Sequence, residues 1–289
     1  MGVLHSTAQV YALNLKHELE SALKQAQRIE LPTDSGLQVW HVWNQQAGNP
    51  LVLLHGGSGS WNHWVRNVLP LSESRSVWAL DIPGLGDSQL PEAAMDADDL
   101  AHPLALGLQA LFGGKAVDVV GFSFGGLMSG FLAAQNPSLI QRMVLVGVPG
   151  LGLSNNIPNM RGFRANMTHE ERMAVHRNNL LAIMLHDEQN ITPELLAMQD
   201  HNVQRDRLRR RRIARSDVLL SLQKQWSCEV HGIWGERDAL YEGALHLIPD
   251  LLSVGQLKNF EIIQGAGHWV QFEAPHAFNQ TLARCLHLA

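Results

Sequence analysis

The chain has 289 residues, 45% of them hydrophobic and 17% charged, and a formal net charge of −5. That is globular composition with enough chain to bury a sizeable core, and its mild acidity argues against a nucleic-acid or anionic-membrane partner. Cys228 and Cys285 are the only cysteines, too few for a disulfide framework or a zinc cluster.

The first residues (MGVLHSTAQVYALNLKHELE) lack a basic segment followed by an apolar run, so they do not read as a secretory signal. No apolar stretch reaches the roughly 20 residues that span a bilayer. A cytoplasmic protein with no membrane partner is expected. Leu13, Leu15, Leu19, Leu23 and Ala26, with charges between them, predict a helix over 11–28. Strand-like runs follow around 27–31 and 37–43. Four short apolar runs come next: Leu51–Leu54, Val77–Leu80, Val117–Val120 and Met143–Val146. Helical stretches separate them at about 61–70, 97–112 and 125–135. Alternating helices and short strands, apolar throughout, predict an α/β fold with a mostly parallel central sheet.

After Pro149-Gly150 the pattern changes, and residues 151–226 carry helical segments without a convincing strand. Two further strands, Glu229–Trp234 and Phe260–Ile263, precede a C-terminal helix over about 275–287. A core of residues 1–150 and 227–289 with an inserted helical cap of 151–226 is therefore expected. The cap should cover the C-terminal edge of the sheet, where open α/β folds bind ligands.

Gly121-Phe122-Ser123-Phe124-Gly125 fits G-x-S-x-G directly after a predicted strand and at the start of a predicted helix. That setting is what a nucleophile elbow requires, because the Ser sits on a strained turn that only small neighbours permit. A Ser hydroxyl needs a base. His268 follows the last strand on the small-residue turn Gln264-Gly265-Ala266-Gly267. Asp238, after the strand ending in Ile233-Trp234-Gly235, is the candidate orienting acid, with Glu236 as its rival. An oxyanion hole needs two converging N–H groups. Phe124, after the nucleophile, and Gly57, in the loop His55-Gly56-Gly57-Ser58-Gly59, are the candidate donors.

His55-Gly56-Gly57, Asp81-Ile82-Pro83-Gly84-Leu85-Gly86-Asp87-Ser88, G-F-S-F-G-G, W-G-E-R-D and G-A-G-H occur in that order. Together they make the chain resemble the α/β-hydrolase superfamily over nearly its whole length. Within it, His268-Trp269, Gly150-Leu151-Gly152 and Ile191-Thr192-Pro193-Glu194-Leu195-Leu196 resemble the meta-cleavage-product hydrolases, which cleave a C–C bond in vinylogous diketones, and their esterase relatives. The chain departs from that group at Phe122, where Asn is usual, and at Gln199, where an Arg that binds the dienolate is usual. Losing both polar partners favours ester or thioester chemistry over C–C cleavage. Gly56, Ser58, Phe122, Gln199 and Trp269 are the candidate substrate-binding residues.

The run Arg205, Arg207, Arg209, Arg210, Arg211, Arg212 and Arg215 reads either as an anion clamp or as a solvated cap helix paired with nearby acids. Met160, Phe163, Met167, Met173 and Met184 could line a pocket or pack a helical core. His169-Glu170 lacks the second His that a metalloprotease helix needs, and Gly57-Ser58-Gly59 lacks the rest of a dinucleotide fingerprint. No metal or cofactor is expected. The expected partner is a small-molecule substrate, and homo-oligomerisation is left open. The alternative from another class is a non-catalytic ligand-binding module on the same fold.

Overall fold

The apolar runs form the middle of one eight-stranded sheet in the computed structural model, which describes residues 7–48, 50–153, 159–208 and 210–287. The strands are β1 (Gln27–Thr33), β2 (Gly36–Trp43), β3 (Leu51–Leu54), β4 (Val77–Asp81), β5 (Val117–Phe122), β6 (Ile140–Val146), β7 (Glu229–Gly235) and β8 (Leu257–Ile263). Their spatial order is β1-β2-β4-β3-β5-β6-β7-β8. β2 pairs antiparallel with β1 and β4, and all later pairs are parallel. β3, β4 and β5 are buried along their whole length, as strands covered on both faces must be. β1 lies at the edge and carries Pro32, a residue that the interior of a sheet excludes.

Alternation along each strand divides the core into two layers. Val52 and Leu54 pack with Trp40, Leu80, Leu127 and Trp234. Leu51 and Leu53 pack on the other face with Trp43, Val144, Ile233 and Phe278. The helices are α1 (Thr7–Gln25), α2 (Val68–Ser72), α3 (Ala101–Phe112), α4 (Phe124–Gln135), α5 (His169–Asn179), α6 (Pro193–Gln204), α7 (Val218–Leu222), α8 (Ile248–Leu251), α9 (Val270–Glu273) and α10 (Pro275–Cys285).

Three elements differ from the sequence-based expectation for local reasons. α1 ends at Gln25 because Gln27 already pairs with Val42 in the sheet. The helix expected over 61–70 is split into a 3₁₀ turn at Trp61–Trp64 and α2. Asp81 holds the Trp61 N–H at 2.8 Å, and Pro70 has no N–H to continue a helix through this segment. The cap-helix reading of the arginine run does not hold for Arg205, Arg207, Arg210, Arg211 and Arg212: α6 stops at Gln204, and the next short turn, Ile213–Arg215, is 3₁₀.

Among the described residues between β6 and β7 there is no strand. This segment holds α5, a π-helical turn at Leu180–Met184, α6 and α7. Asn202 of α6 is fully buried against the loop after β3, where it exchanges hydrogen bonds with Asn62 (2.8 and 3.1 Å) and accepts from Ser60 (3.1 Å). Arg205 pairs with Asp87 at 2.6 Å, and the Arg207 N–H reaches the Gly84 carbonyl oxygen at 2.9 Å. Thus Asn202 ties the helical segment to the loop after β3, and part of the arginine run ties it to the loop after β4. No described helix is long and apolar enough to cross a membrane.

Candidate active site

β5 runs directly into α4 through Ser123, whose φ of 49° and ψ of −114° make it a left-handed, strained residue. Its flanking glycines are a steric necessity. A Cβ on Gly125 would strike the carbonyl oxygen of Leu54 in β3, and one on Gly121 would lie 2.5 Å from the Gly125 carbonyl oxygen. The turn is secured by the Ser123 N–H, which donates to the Val146 carbonyl oxygen at 2.8 Å. Phe124 is the first residue of α4, so its N–H belongs to the turn that has no intrahelical acceptor. Ser123 is half-buried and thus within reach of a ligand.

His268 and Asp238 are each 1% exposed, and His268 Nδ1 lies 2.8 Å from Asp238 Oδ2. Asp238 Oδ1 accepts the Leu240 N–H at 3.0 Å. With the carboxylate as acceptor, Nδ1 carries the ring proton and Nε2 has the free lone pair. Nε2 is buried and has no hydrogen-bond partner. Gly147, at the end of β6 with φ +54°, makes this pair possible. A Cβ there would sit 3.0 Å from His268 Nδ1 and 3.2 Å from Asp238 Oδ2. Tyr241 donates its hydroxyl to the Val148 carbonyl oxygen beneath the acid, and burial followed by the Asp238 charge holds its pKa well above the ordinary phenol value. The rival acid, Glu236, accepts the Gly265 N–H at 3.1 Å instead of meeting the histidine.

The loop after β3 is held by His55. Its Nε2 accepts the Ile82 N–H at 2.9 Å, so Nδ1 is protonated and donates to the Gly56 carbonyl oxygen at 2.8 Å. Burial lowers its pKa to about 4, which keeps it neutral in this role. The anchored loop places Gly57 beside the elbow: a Cβ on Gly57 would lie 3.8 Å from that of Phe124. The two residues expected to donate to an oxyanion are therefore neighbours.

The candidate substrate-binding residues separate into groups. Phe122 and Trp269 are fully buried. The Phe122 ring packs 5.1 Å from the His268 ring, and Gly56 is small because a Cβ would come within 2.9 Å of Phe122. Trp269 donates its indole N–H to the His63 carbonyl oxygen at 3.0 Å and stacks on Phe272, so it is a strut behind the histidine. Ser58 Oγ donates to Asp206 at 2.5 Å. Gln199 is half-buried on α6, and its buried Oε1 has no partner.

Arg211 approaches the centre of the site. Its guanidinium carbon lies 5.3 Å from the Phe124 ring centre, and its Nε is 3.5 Å from where a Gly57 Cβ would stand. Asp206 holds its Nη2 at 2.5 Å, while Nε is buried without a partner. Arg209 lies outside the described residues. Met160 and Phe163 are exposed, so they do not form a buried pocket lining; Phe163 packs on the His176 ring at 4.7 Å. Among the described residues, no group of three or more His, Cys, Asp or Glu side chains is placed to hold a metal ion.

Sheet order, elbow and inserted helices give the chain an α/β-hydrolase fold, and residues 49–182 match the alpha/beta hydrolase fold family. It is 27% identical over 250 residues to the 2-hydroxy-6-oxo-6-phenylhexa-2,4-dienoate hydrolase of Comamonas testosteroni, covering 81% of this chain and 86% of that one. It is 30% identical over 262 residues to the dihydrolipoyllysine-residue acetyltransferase component of the acetoin cleaving system of Pseudomonas putida. That match covers 84% of this chain and spans 65% of the relative's length. The fold is shared with the carboxylesterase CesB (YbfK) of Bacillus subtilis, at TM-score 0.71 and 20% identity over 96% of this chain and 98% of that one.

Proposed function

We propose that the protein hydrolyses a small carboxylic ester or thioester through an acyl-enzyme, with Ser123 as nucleophile, His268 as general base and Asp238 as the acid that orients it. The observation that carries this reading is the His268 imidazole. Asp238 occupies its Nδ1, and its buried Nε2 has no partner. Ser123 Oγ attacks the ester carbonyl as Nε2 takes its proton, and the Phe124 and Gly57 N–H groups hold the tetrahedral oxyanion. The imidazolium then protonates the leaving alkoxide or thiolate. Water, deprotonated by Nε2, attacks the acyl-enzyme and releases the acid with Ser123 restored. Residues 151–226 act as a cap that closes this site from solvent. The experiment is parallel kinetics of the wild type on p-nitrophenyl esters of rising chain length and on a ring-fission dienone, with Ser123→Ala as control. A best-ester kcat/KM above that for the dienone, lost in Ser123→Ala, supports the reading.

One observation favours a second reading, C–C hydrolysis of a meta-cleavage product. Arg211 brings an unpartnered, buried guanidinium N–H to the two oxyanion donors, where it could hold an anionic dienol in place of the arginine absent at Gln199. The named activity of the Comamonas relative points the same way. A dienone kcat/KM above that of the best ester would give this reading precedence.

A further inference from the structure

His268 is fastened to the helical segment through both of its chain neighbours. On one side the Trp269 N–H donates to the Met184 carbonyl oxygen at 2.7 Å. On the other, the Gly267 N–H donates to Glu273 Oε2 at 2.6 Å. The same carboxylate accepts the His186 N–H (3.0 Å to Oε1, 3.2 Å to Oε2) and the Asp187 N–H (2.9 Å to Oε1). Three backbone donors from two distant stretches of chain thus converge on one side chain. Nothing separates the two backbones here: a Cβ on Gly267 would lie 2.7 Å from the His186 nitrogen and 3.1 Å from the Leu185 carbonyl carbon. The chain reaches Leu185 from the π-helical turn Leu180–Met184, closed by the Leu185 N–H on the Leu180 carbonyl oxygen, a geometry frequent at functional sites. Leu185 and His186 also line a cavity of about 360 Å³ that reaches Asp238.

We propose that Glu273 is a positioning residue that clamps residues 185–187 of the helical segment to the loop carrying His268, so that seating of the segment and placement of the imidazole are one event. This rests on the reading of His268 as general base. Catalysis needs the base held to within about half an ångström, and a loop of small residues does not supply that stiffness by itself. Residues Gln264–Gly267 contain two glycines and an alanine. Glu273 provides an external anchor one residue before the histidine, and Met184 provides a second one residue after it. A displacement of the segment would therefore be carried directly to Nε2.

The test is Glu273→Gln. The amide keeps the size of the side chain but replaces one acceptor oxygen with an NH₂ group. Whichever way it turns, the Gly267 or the Asp187 N–H faces another donor. We would measure kcat and KM on phenyl acetate, the rate of fluorophosphonate labelling at Ser123 and the melting temperature. The clamp predicts that kcat and labelling rate fall together by about 10- to 100-fold, the loss of one charge-assisted hydrogen bond, while KM stays within about twofold. Wild-type kcat and labelling in folded Glu273→Gln overturn it, as does a decline that only tracks loss of folded protein. Should Glu273→Gln not fold, Gly267→Ala carries the test: its methyl group pushes on His186, and a lower kcat at unchanged KM is expected, whereas wild-type kcat overturns the proposal. His268→Ala separates the two levels. If it labels at the wild-type rate, the base assignment fails and the clamp with it. If it does not label while both Glu273 and Gly267 variants behave as wild type, the clamp alone fails.

Discussion

Gly147→Ala probes the site through a residue that does no chemistry. The added Cβ would stand 3.0 Å from His268 Nδ1, 3.1 Å from its Cε1 and 3.2 Å from Asp238 Oδ2. Ordinary contacts between such atoms lie at about 3.5–4.0 Å, so the imidazole and carboxylate must retreat by roughly half an ångström. The φ of +54° at this residue adds a backbone cost of about 1–2 kcal/mol for any side chain. A misplacement of about 1 Å costs on the order of 10² in rate, so half of that should cost about 10-fold, and more if the His268–Asp238 bond lengthens as well. We expect kcat/KM on phenyl acetate to fall about 10- to 100-fold, with a melting temperature lower by a few degrees. Steady-state kinetics, fluorophosphonate labelling rate and calorimetry on the same preparation check this. A folded Gly147→Ala protein with wild-type kcat/KM would refute the argument that this close approach positions the base.

Other perturbations act on separate parts of the molecule. Arg211→Gln should lower cleavage of an anionic ring-fission dienone about 10-fold more than that of phenyl acetate, because only the former gains a charge-assisted bond; equal losses would mean that Arg211 serves the helical segment and not the substrate. Asn202→Ala leaves Asn62 and Ser60 without their buried partner, and hydrogen exchange should quicken in α6 and in residues 60–64; unchanged exchange would show that this contact does not hold the segment down. Acid should destabilise the fold. Burial lowers the pKa of His41 and His55 to about 4, and it lowers those of His63 and His231 too. The unfolded chain therefore binds more protons below the free imidazole value of 6.5, and stability falls as pH drops from there toward 4. Asp81, raised by burial to about 6, and Glu273, also raised, act in the opposite sense but are outnumbered. His41 alone should contribute roughly 3 kcal/mol across this window, so His41→Gln should flatten the melting temperature against pH; a wild-type curve already flat there would mean that the buried histidines do not carry the acid sensitivity.

Ser123, Phe124, Gly57 and the sheet that carries them were legible because local sterics allow few residues there. The contacts of Gly121 and Gly125 with β3 and α4 leave no room for a side chain, so the elbow must be written in glycine. Asp238 and His268 were legible from their positions after successive strands. The burial of Phe122 and Trp269 was not legible, because the resemblance that named them says nothing of how their rings pack behind His268. Gly147 and Glu273 could not be found that way. The need for Gly147 arises from a histidine and an aspartate far along the chain, and Glu273 matters through amides at 186 and 187. The charge pattern of the arginines left a clamp and a cap helix both open, because the backbone bond from Arg207 to Gly84 beyond the end of α6 was not visible in it.

Mass spectrometry of the protein after reaction with a fluorophosphonate shows which serine His268 activates. The expected result is a single adduct, on the peptide carrying Ser123, formed at least about 10³-fold more slowly in His268→Ala. An adduct on a different serine, or labelling of Ser123 that proceeds as fast without His268, would contradict it.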